Sequence, residues 1–225
     1  MLSSNEIKQR VALKATRLVE PGMTIGLGSG TTMHWFVIAL AEQVKEGLQF
    51  TAVPTSTEVQ KLAEEKGIKL KTLNEVETID LTIDGADEID PQWQVIKGGG
   101  GALLQEKLVA IASRKLVIIA DHTKMVEQLG NFPLPIEVVP YGWKHVQWRL
   151  KQLYKIEVSL REKNNQVFLT DHGHYILDCH FREITDATTL NGELNLIPGV
   201  VETGLFIDMV GGLYIGYADG TTKEF

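Results

Sequence analysis

Residues 78–120 read TIDLTIDGADEIDPQWQVIKGGGGALLQEKLVAIASRKLVIIA, and the fold class follows from them. An apolar strand over 79–83 breaks at Asp84-Gly85-Ala86-Asp87. A shorter strand over 93–96 ends at Lys97, and four glycines, Gly98, Gly99, Gly100 and Gly101, come next. A helical pattern opens at Leu103 and carries Glu106 in its first turns. A wholly apolar strand over 116–120 then ends at Asp121. Short apolar strands without polar alternation, separated by helices, mark a parallel sheet covered on both faces.

The same alternation extends upstream. Ser3-x-x-Glu6 predicts a capping box opening an amphipathic helix to about Val19, ended by Pro21-Gly22. A strand over 23–27 runs into Gly28-Ser29-Gly30-Thr31-Thr32. A second helix continues to about Lys45 and stops at Gly47. A strand over 50–53, a turn at Pro54-Thr55-Ser56-Thr57 and a helix ending near Gly67 complete this half. Downstream the texture changes at Phe132-Pro-Leu-Pro135. From there the pattern predicts a strand over 136–139 and a helix over 143–153. Two strands around Asn164-Asn165, a strand from Tyr175, a helix over 186–194 and a strand from Val200 follow. Strand–helix–strand–strand–helix–strand is the split ferredoxin-like order, which this list matches with one strand to spare. The last strands, near Phe206 and over 213–217, can return to the first sheet. The expectation is an α/β protein with two domains. Residues 1–130 plus 206–225 form a Rossmann-like, mostly parallel sheet domain, and residues 131–205 a smaller α+β ferredoxin-like one.

Composition narrows the function classes. The chain has 225 residues, 44% hydrophobic and 23% charged, as in a globular protein that dissolves in water. No apolar run approaches the ~20 residues a membrane helix needs. The N-terminus MLSSNEIKQR lacks a hydrophobic signal core, so export is not expected. A single cysteine, Cys179, cannot form an internal disulfide, which fits a reducing cytoplasm. The net charge of -7 argues against nucleic acid as the main partner. A small phosphate ligand stays open, because a few backbone amides and a lysine make a local positive site.

In open α/β sheets ligands bind beyond the carboxyl ends of the strands, and each motif here stands at such an end. The loop from Gly28 to Thr32 does not fit a dinucleotide site. That fingerprint wants glycine where Thr31 stands and an acidic residue near Pro54-Thr55-Ser56-Thr57. No Gly-Lys-Ser/Thr ending supports a triphosphate loop either. Amides at a helix N-terminus with the hydroxyls of Ser29, Thr31 and Thr32 suit a phosphate; a plain tight turn is the alternative. Asp84 and Asp87 taken singly read as turn caps. Paired, and followed by Lys97 and the glycines, they read as ligand-holding groups. Four glycines cost about 0.5–1 kcal/mol each in regular structure, so the run implies close approach to bare backbone. Glu106 is the acid nearest that run, the alternative being a solvated helix face shared with Lys107. Lys124 reaches either an anion at the same sheet edge or water. The six histidines, His172, His174 and His180 among them, show no metal spacing, and no metal is expected. The four tryptophans read as packing.

Taken together, Gly28-Ser-Gly-Thr-Thr32, Asp84-Gly-Ala-Asp87-Glu, Lys97-Gly-Gly-Gly-Gly-Ala and Glu106-Lys107 resemble the ribose-5-phosphate isomerase A family. So do Ala120-Asp-His-Thr-Lys124, Phe132-Pro-Leu-Pro-Ile-Glu-Val and Ile197-Pro-Gly-Val-Val201 with Gly204-Leu-Phe206. The motifs span nearly the whole chain in order. The resemblance implies a cofactor-free, metal-free aldose–ketose isomerase. It would interconvert D-ribose 5-phosphate and D-ribulose 5-phosphate in the non-oxidative branch of the pentose phosphate pathway. It places the base at Glu106 and substrate contacts at Ser29, Gly30, Thr31 and Thr32. Further contacts fall on Asp84, Gly85, Ala86, Asp87, Lys97, Gly98, Gly99, Gly100 and Lys124. It also implies a homo-oligomer, dimer or tetramer. One departure is visible: the first loop commonly reads Gly-Thr-Gly-Ser-Thr in the family, and here the hydroxyls stay in the same places.

On this expectation one carboxylate, Glu106, moves a proton between adjacent carbons through a cis-enediolate. Lys97 and glycine-loop amides meet the negative charge, and Asp84 and Asp87 hold sugar hydroxyls and assist ring opening, with the division between the two left open. Rival classes are a sugar-phosphate sensor without chemistry, an amino-sugar phosphate deaminase and an acyl-CoA transferase. A sensor of that kind usually carries a DNA-reading domain, for which no spare segment is seen. A transferase needs a CoA site that no motif supplies, and ammonia release would identify a deaminase.

Overall fold

A computed structural model describes residues 2–225. In chain order they form α1 (Ser4–Ala15), β1 (Thr24–Leu27), α2 (Thr31–Lys45), β2 (Thr51–Pro54), α3 (Thr57–Glu65), β3 (Leu81–Asp84), β4 (Glu88–Ile89), β5 (Val95–Ile96), α4 (Leu103–Ile111), β6 (Leu116–Asp121), β7 (Leu134–Val138), α5 (Trp143–Tyr154), β8 (Glu157–Leu160), β9 (Glu162–Lys163), β10 (Gln166–Val167), β11 (Tyr175–His180), α6 (Ala187–Asn195), β12 (Val200–Thr203), β13 (Leu205–Phe206), β14 (Val210–Gly216) and β15 (Thr222–Glu224). The chain divides into two units. The first holds residues 1–86, 105–124 and 209–225, the second residues 87–104 and 125–208. Among the described residues no helix is long and apolar enough to cross a membrane.

The first unit is built on a six-stranded sheet of order β15-β14-β6-β3-β1-β2. All its pairs are parallel except β14 with β15. Counting the parallel strands in chain order gives 2-1-3-4-5, a doubly wound sheet whose topological switch lies between β1 and β3. Every residue of β3 and β6 is buried, as the strands of a sheet covered by helices on both faces must be. Ile25, Leu27, Ile83, Val117 and Ile119 from the strands pack with Met33, Phe36 and Leu40 of α2 in one core. The capping box of α1 forms as the sequence predicts. Ser3 N–H donates to Glu6 Oε2 at 2.8 Å, and Glu6 N–H donates to Ser3 Oγ at 3.4 Å. The helix itself stops at Ala15, and a 3-10 turn over Thr16–Leu18 takes up the rest of the expected span.

The second unit carries a four-stranded antiparallel sheet of order β12-β7-β11-β8. With α5 and α6 this is β-α-β-β-α-β in strand order 4-1-3-2, the ferredoxin-like arrangement. Its core joins Leu134, Ile136 and Val138 of β7, Leu177 of β11, Val146 and Leu150 of α5 and Leu194 of α6. The turn at Asn164-Asn165 (φ 55 and 59) closes a separate two-stranded ribbon, β9 with β10, outside that sheet.

A three-stranded antiparallel sheet, β13-β5-β4, also belongs to the second unit. Here the structure differs from the sequence reading. Residues 87–104, read with the first domain, group with the second unit because β5 pairs with β13. The strand near Phe206 therefore does not return to the first sheet, whereas β14 does. The strand expected from Trp93 begins only at Val95. Trp93 has φ 62 and donates its N–H to Asp90 O at 3.0 Å in a turn. Asp90 also accepts from the amides of Gln92 and Gln94; burial pushes its carboxyl pKa up and those two donors pull it back.

Candidate active site

In the first unit, the loops after β1, β2 and β3 meet at the switch between β1 and β3. Gly28 N–H donates to Ile83 O at 2.9 Å, which brings the end of β1 against the end of β3. No side chain fits there: a Cβ on Gly28 would lie 2.0 Å from Asp84 Oδ1 and 2.5 Å from Asp84 Cα. Asp84, 1% exposed, accepts the N–H of Ser29 at 3.1 Å and of Gly85 at 2.7 Å on Oδ1. The Ser29 hydroxyl is bonded to Thr55 Oγ1 and Ser56 Oγ, both at 2.8 Å, and Thr55 Oγ1 donates to Leu27 O at 2.9 Å. Gly30, with φ +103, starts α2 without any side-chain cap, so the first amides of that helix are not closed off by a residue of the helix start. Thr31 is exposed and accepts from Lys8 Nζ at 3.0 Å; Thr32 is buried. A chain turn with hydroxyls, helix-start amides and a lysine is a place for an anion.

Glu106 enters the same unit on α4. Val109, one turn later on the same helical face, packs beside Gly26 of β1: a Cβ on Gly26 would lie 2.6 Å from Val109 Cγ1. Ser113, just past the end of α4, bonds Thr82 Oγ1 of β3 at 2.6 Å. Val109 lies level with the Gly26–Thr82 pair, and Ala112 O, directly after α4, accepts from Ile79 N–H at 2.9 Å, ahead of β3. The helix therefore runs opposite to β1 and β3, and its N-terminal turns face their carboxyl ends. Glu106 is 4% exposed and Lys107 6%. That excludes the solvated helix face weighed from sequence. Lys124 ends a 3-10 turn, His122–Lys124, directly after β6, and is half-buried. Asp121 holds this turn through the N–H and the hydroxyl of Thr123.

The second unit holds the rest. Asp87 N–H donates to Ile96 O at 2.8 Å, and Asp87 Oδ2 accepts from Gly99 N–H at 2.7 Å. A Cβ on Gly99 would come within 2.7 Å of the Asp87 carboxylate, which would have to swing aside. Gly98 has φ +100 and Gly101 φ +87, and Gly101 N–H donates to Gly98 O at 3.0 Å, closing a tight turn. Lys97 is 2% exposed; its N–H donates to Gly204 O at 2.9 Å, and its ammonium lies 5.4 Å from the Phe206 ring centroid. Gly99 and Gly100 are exposed.

Of the residues singled out from sequence, Ser29, Gly30, Thr31, Thr32, Asp84, Gly85, Ala86, Glu106 and Lys124 fall in the first unit. Asp87, Lys97, Gly98, Gly99 and Gly100 fall in the second. Contacts join Ser29 to Asp84 in the one and Asp87 to Gly99 in the other. Three contacts beside these residues were not legible. Lys8 lies on α1, 23 residues before its partner Thr31. Glu88, 3% exposed, accepts from the amides of Gly130 at 2.8 Å and Phe132 at 2.7 Å. Arg161 donates to the carbonyls of Gly98 and Gly99 from 63 and 62 residues away. No local pattern announces such pairs; for Glu88, its place directly after Asp87 was the one available hint. Among the described residues no group of three or more His, Cys, Asp or Glu is arranged to hold a metal ion.

Comparison with known proteins bears on what this arrangement does. A family model described as ribose 5-phosphate isomerase A (phosphoriboisomerase A) matches residues 51–220. A ribose-5-phosphate isomerase A of Bacillus mycoides is 49% identical over 220 residues, covering 97% of this chain and 99% of the relative. One from Gloeobacter violaceus is 49% identical over 216 residues, covering 95% and 94%. Among solved structures, a D-ribose-5-phosphate isomerase in complex with phospho-erythronic acid superposes with a TM-score of 0.96 at 35% identity, covering 100% of this chain and 99% of that one. The ribose 5-phosphate isomerase of Plasmodium falciparum gives 0.95 at 36% identity, with 98% of each chain covered.

Proposed function

The chain belongs to the ribose 5-phosphate isomerase A family, and from that premise we propose that it interconverts D-ribose 5-phosphate and D-ribulose 5-phosphate with Glu106 as the base. The observation that carries this reading is the burial of Glu106, 4% exposed, on the face of α4 turned to the sheet. A carboxylate withdrawn from water on the helix that directly follows a bare glycine turn is suited to proton transfer, not to solubility.

In this reading Glu106 takes the proton from C2 of the open-chain aldose. The electron pair moves into the C1–C2 bond and the carbonyl oxygen at C1 becomes an oxyanion. Glu106 returns its proton to C1, and the hydroxyl proton of O2 passes to O1 as the ketone forms at C2. Nothing is gained or lost overall. General base catalysis of this kind is worth typically ~10²–10⁴-fold. Lys97 and the glycine-loop amides that Asp87 does not hold meet the negative oxygen, and loss of one such donor typically costs about 10²–10³-fold. Asp84 and Asp87 hold sugar hydroxyls; their own contacts, to Ser29 and Gly99, support this by fixing each carboxylate to its loop. The phosphate sits at Ser29, Gly30, Thr31 and Thr32, with Lys124 as a further cation. Binding at this remote end is then converted into orientation at the reacting carbons.

The proposal extends to a homo-oligomer, dimer or tetramer, acting in the cytoplasm. Exposed apolar side chains of the second unit, Trp148 at 58%, Leu153 at 55% and Leu196 at 83%, support a covered face. Sedimentation of the purified protein tests it. The activity is tested with ribose 5-phosphate alone, in the presence of a chelator and without added cofactor. Ketose formation supports the reading, and its absence overturns it.

A further inference from the structure

Four glycines in a row carry no side chain to hold them in place, and glycine surrenders more conformational freedom on ordering than any other residue. The turn from Gly98 to Gly101 is nevertheless tightly seated, and its seat comes from another part of the same unit. Arg161 follows β8 directly. Its Nη1 donates to Gly98 O at 2.6 Å and to Gly99 O at 3.1 Å. On its other edge Nε donates to Asp178 Oδ2 at 2.9 Å and Nη2 to Asp178 Oδ1, a two-pronged pair. The side chains are 13% and 18% exposed.

The backbone around Arg161 is fixed on both sides. Its N–H donates to Ile176 O at 2.8 Å, and its carbonyl accepts from Phe168 N–H at 2.9 Å. Phe168 supports the same turn: a Cβ on Gly101 would fall 2.4 Å from its ring. The ribbon β9–β10 thus carries a cation and an aromatic ring side by side at its open end, both set against the glycine turn.

The consequence follows from peptide geometry. A trans peptide is planar, with C=O and N–H pointing to opposite edges. Fixing the oxygens of Gly98 and Gly99 on the guanidinium fixes the N–H groups of Gly99 and Gly100 on the far side. Gly99 N–H goes to Asp87 Oδ2. Gly100 N–H is turned away from Arg161 in the next peptide. A cation at the carbonyl end also polarises the amide and makes its N–H a stronger donor. Only the rigid fork of arginine can clasp a carboxylate with one edge and hold two carbonyls with the other.

We infer that Arg161, clasped by Asp178, is the positioning residue that aims the Gly100 amide of the glycine turn at the oxyanion formed during isomerisation. The inference rests on the reading of that turn given under the proposed function. Arg161 does not itself meet the substrate.

The test compares Arg161→Met, Arg161→Lys and Asp178→Asn with the wild type. The measurements are turnover of ribose 5-phosphate, competition by inorganic phosphate, competition by phospho-erythronic acid, and thermal unfolding. Phospho-erythronic acid carries a carboxylate where the enediolate oxygens form, whereas inorganic phosphate reports only the anchoring end. Arg161→Met is expected to lower kcat roughly 10–100-fold, the scale of a misplacement of about 1 Å. It is expected to weaken phospho-erythronic acid, and to leave inorganic phosphate unchanged. Arg161→Lys keeps one donor and falls between, and Asp178→Asn acts in the same direction. Should Arg161→Met not fold, the other two variants carry the comparison. Wild-type kcat and phospho-erythronic acid affinity in folded variants overturn the inference, as does an equal loss of both competitors. An inactive wild type removes the isomerase reading itself, and this inference with it; an active wild type with indifferent variants removes only the role of Arg161.

Discussion

The amide of Ser29 donates to Asp84 Oδ1 at 3.1 Å, binding the loop after β1 to the last residue of β3. This bond spans the switch point of the sheet, where the chain leaves β1 and β3 toward opposite neighbours and a crevice must open. It is possible only because Gly28 presents no side chain.

Gly28→Ala tests that relationship. The new methyl would stand 2.0 Å from Asp84 Oδ1 and 2.5 Å from Asp84 Cα, and rotation of the carboxylate cannot relieve the backbone clash. Overpacking of this kind costs typically 1–3 kcal/mol, about the loss expected in urea unfolding. Turnover should fall as well, because Asp84 and the Ser29 loop are displaced together. Unfolding and turnover both like wild type would show that the close approach is not needed.

Glu88→Ala should weaken the second unit. Glu88 accepts from the buried amide of Gly130 and the part-buried amide of Phe132. Leaving a buried donor unsatisfied costs about 1–3 kcal/mol, and the part-buried one adds less. Guanidinium unfolding followed at the tryptophans of α5 checks the shift. Glu88→Gln, which keeps one acceptor oxygen, should lose less.

Cys179 should be inert in the folded protein. Burial pushes its thiol pKa well above the usual value near 9, and Asp178 adds to the effect. A disulfide reagent at pH 8 should label it only in denaturant, so labelling reports opening of the second unit. The sign of the linkage is also fixed. A folded pKa raised above the unfolded one favours folding fully below pH ~9, and this contribution is lost as the pH rises above it. Fast labelling of the native protein would contradict the burial.

Much of this architecture was legible in sequence, and the exceptions share a cause. Helices and long strands announce themselves through local periodicity and caps, as at Ser3 and Glu6 or in the apolar run of β6. The strands β4, β5 and β13 have two residues each, too few to show a period, and their pairing rather than their composition assigns them to the second unit. Asp84, Asp87, Lys97 and Glu106 stand out as candidates because they cluster within 23 residues of sequence, at the ends of elements. Arg161 was not, because what gives it meaning is contact with Gly98 and Gly99, and its neighbours in sequence form an ordinary polar hairpin.

Replacement of Glu106 by glutamine tests the central claim most directly. Glutamine keeps the size and hydrogen-bonding capacity of the buried side chain but cannot accept the C2 proton. The expected result is a loss of kcat of about 10²–10⁴-fold with little change in ribose 5-phosphate affinity and unaltered folding. Turnover near that of the wild type in the folded variant would show that another group is the base.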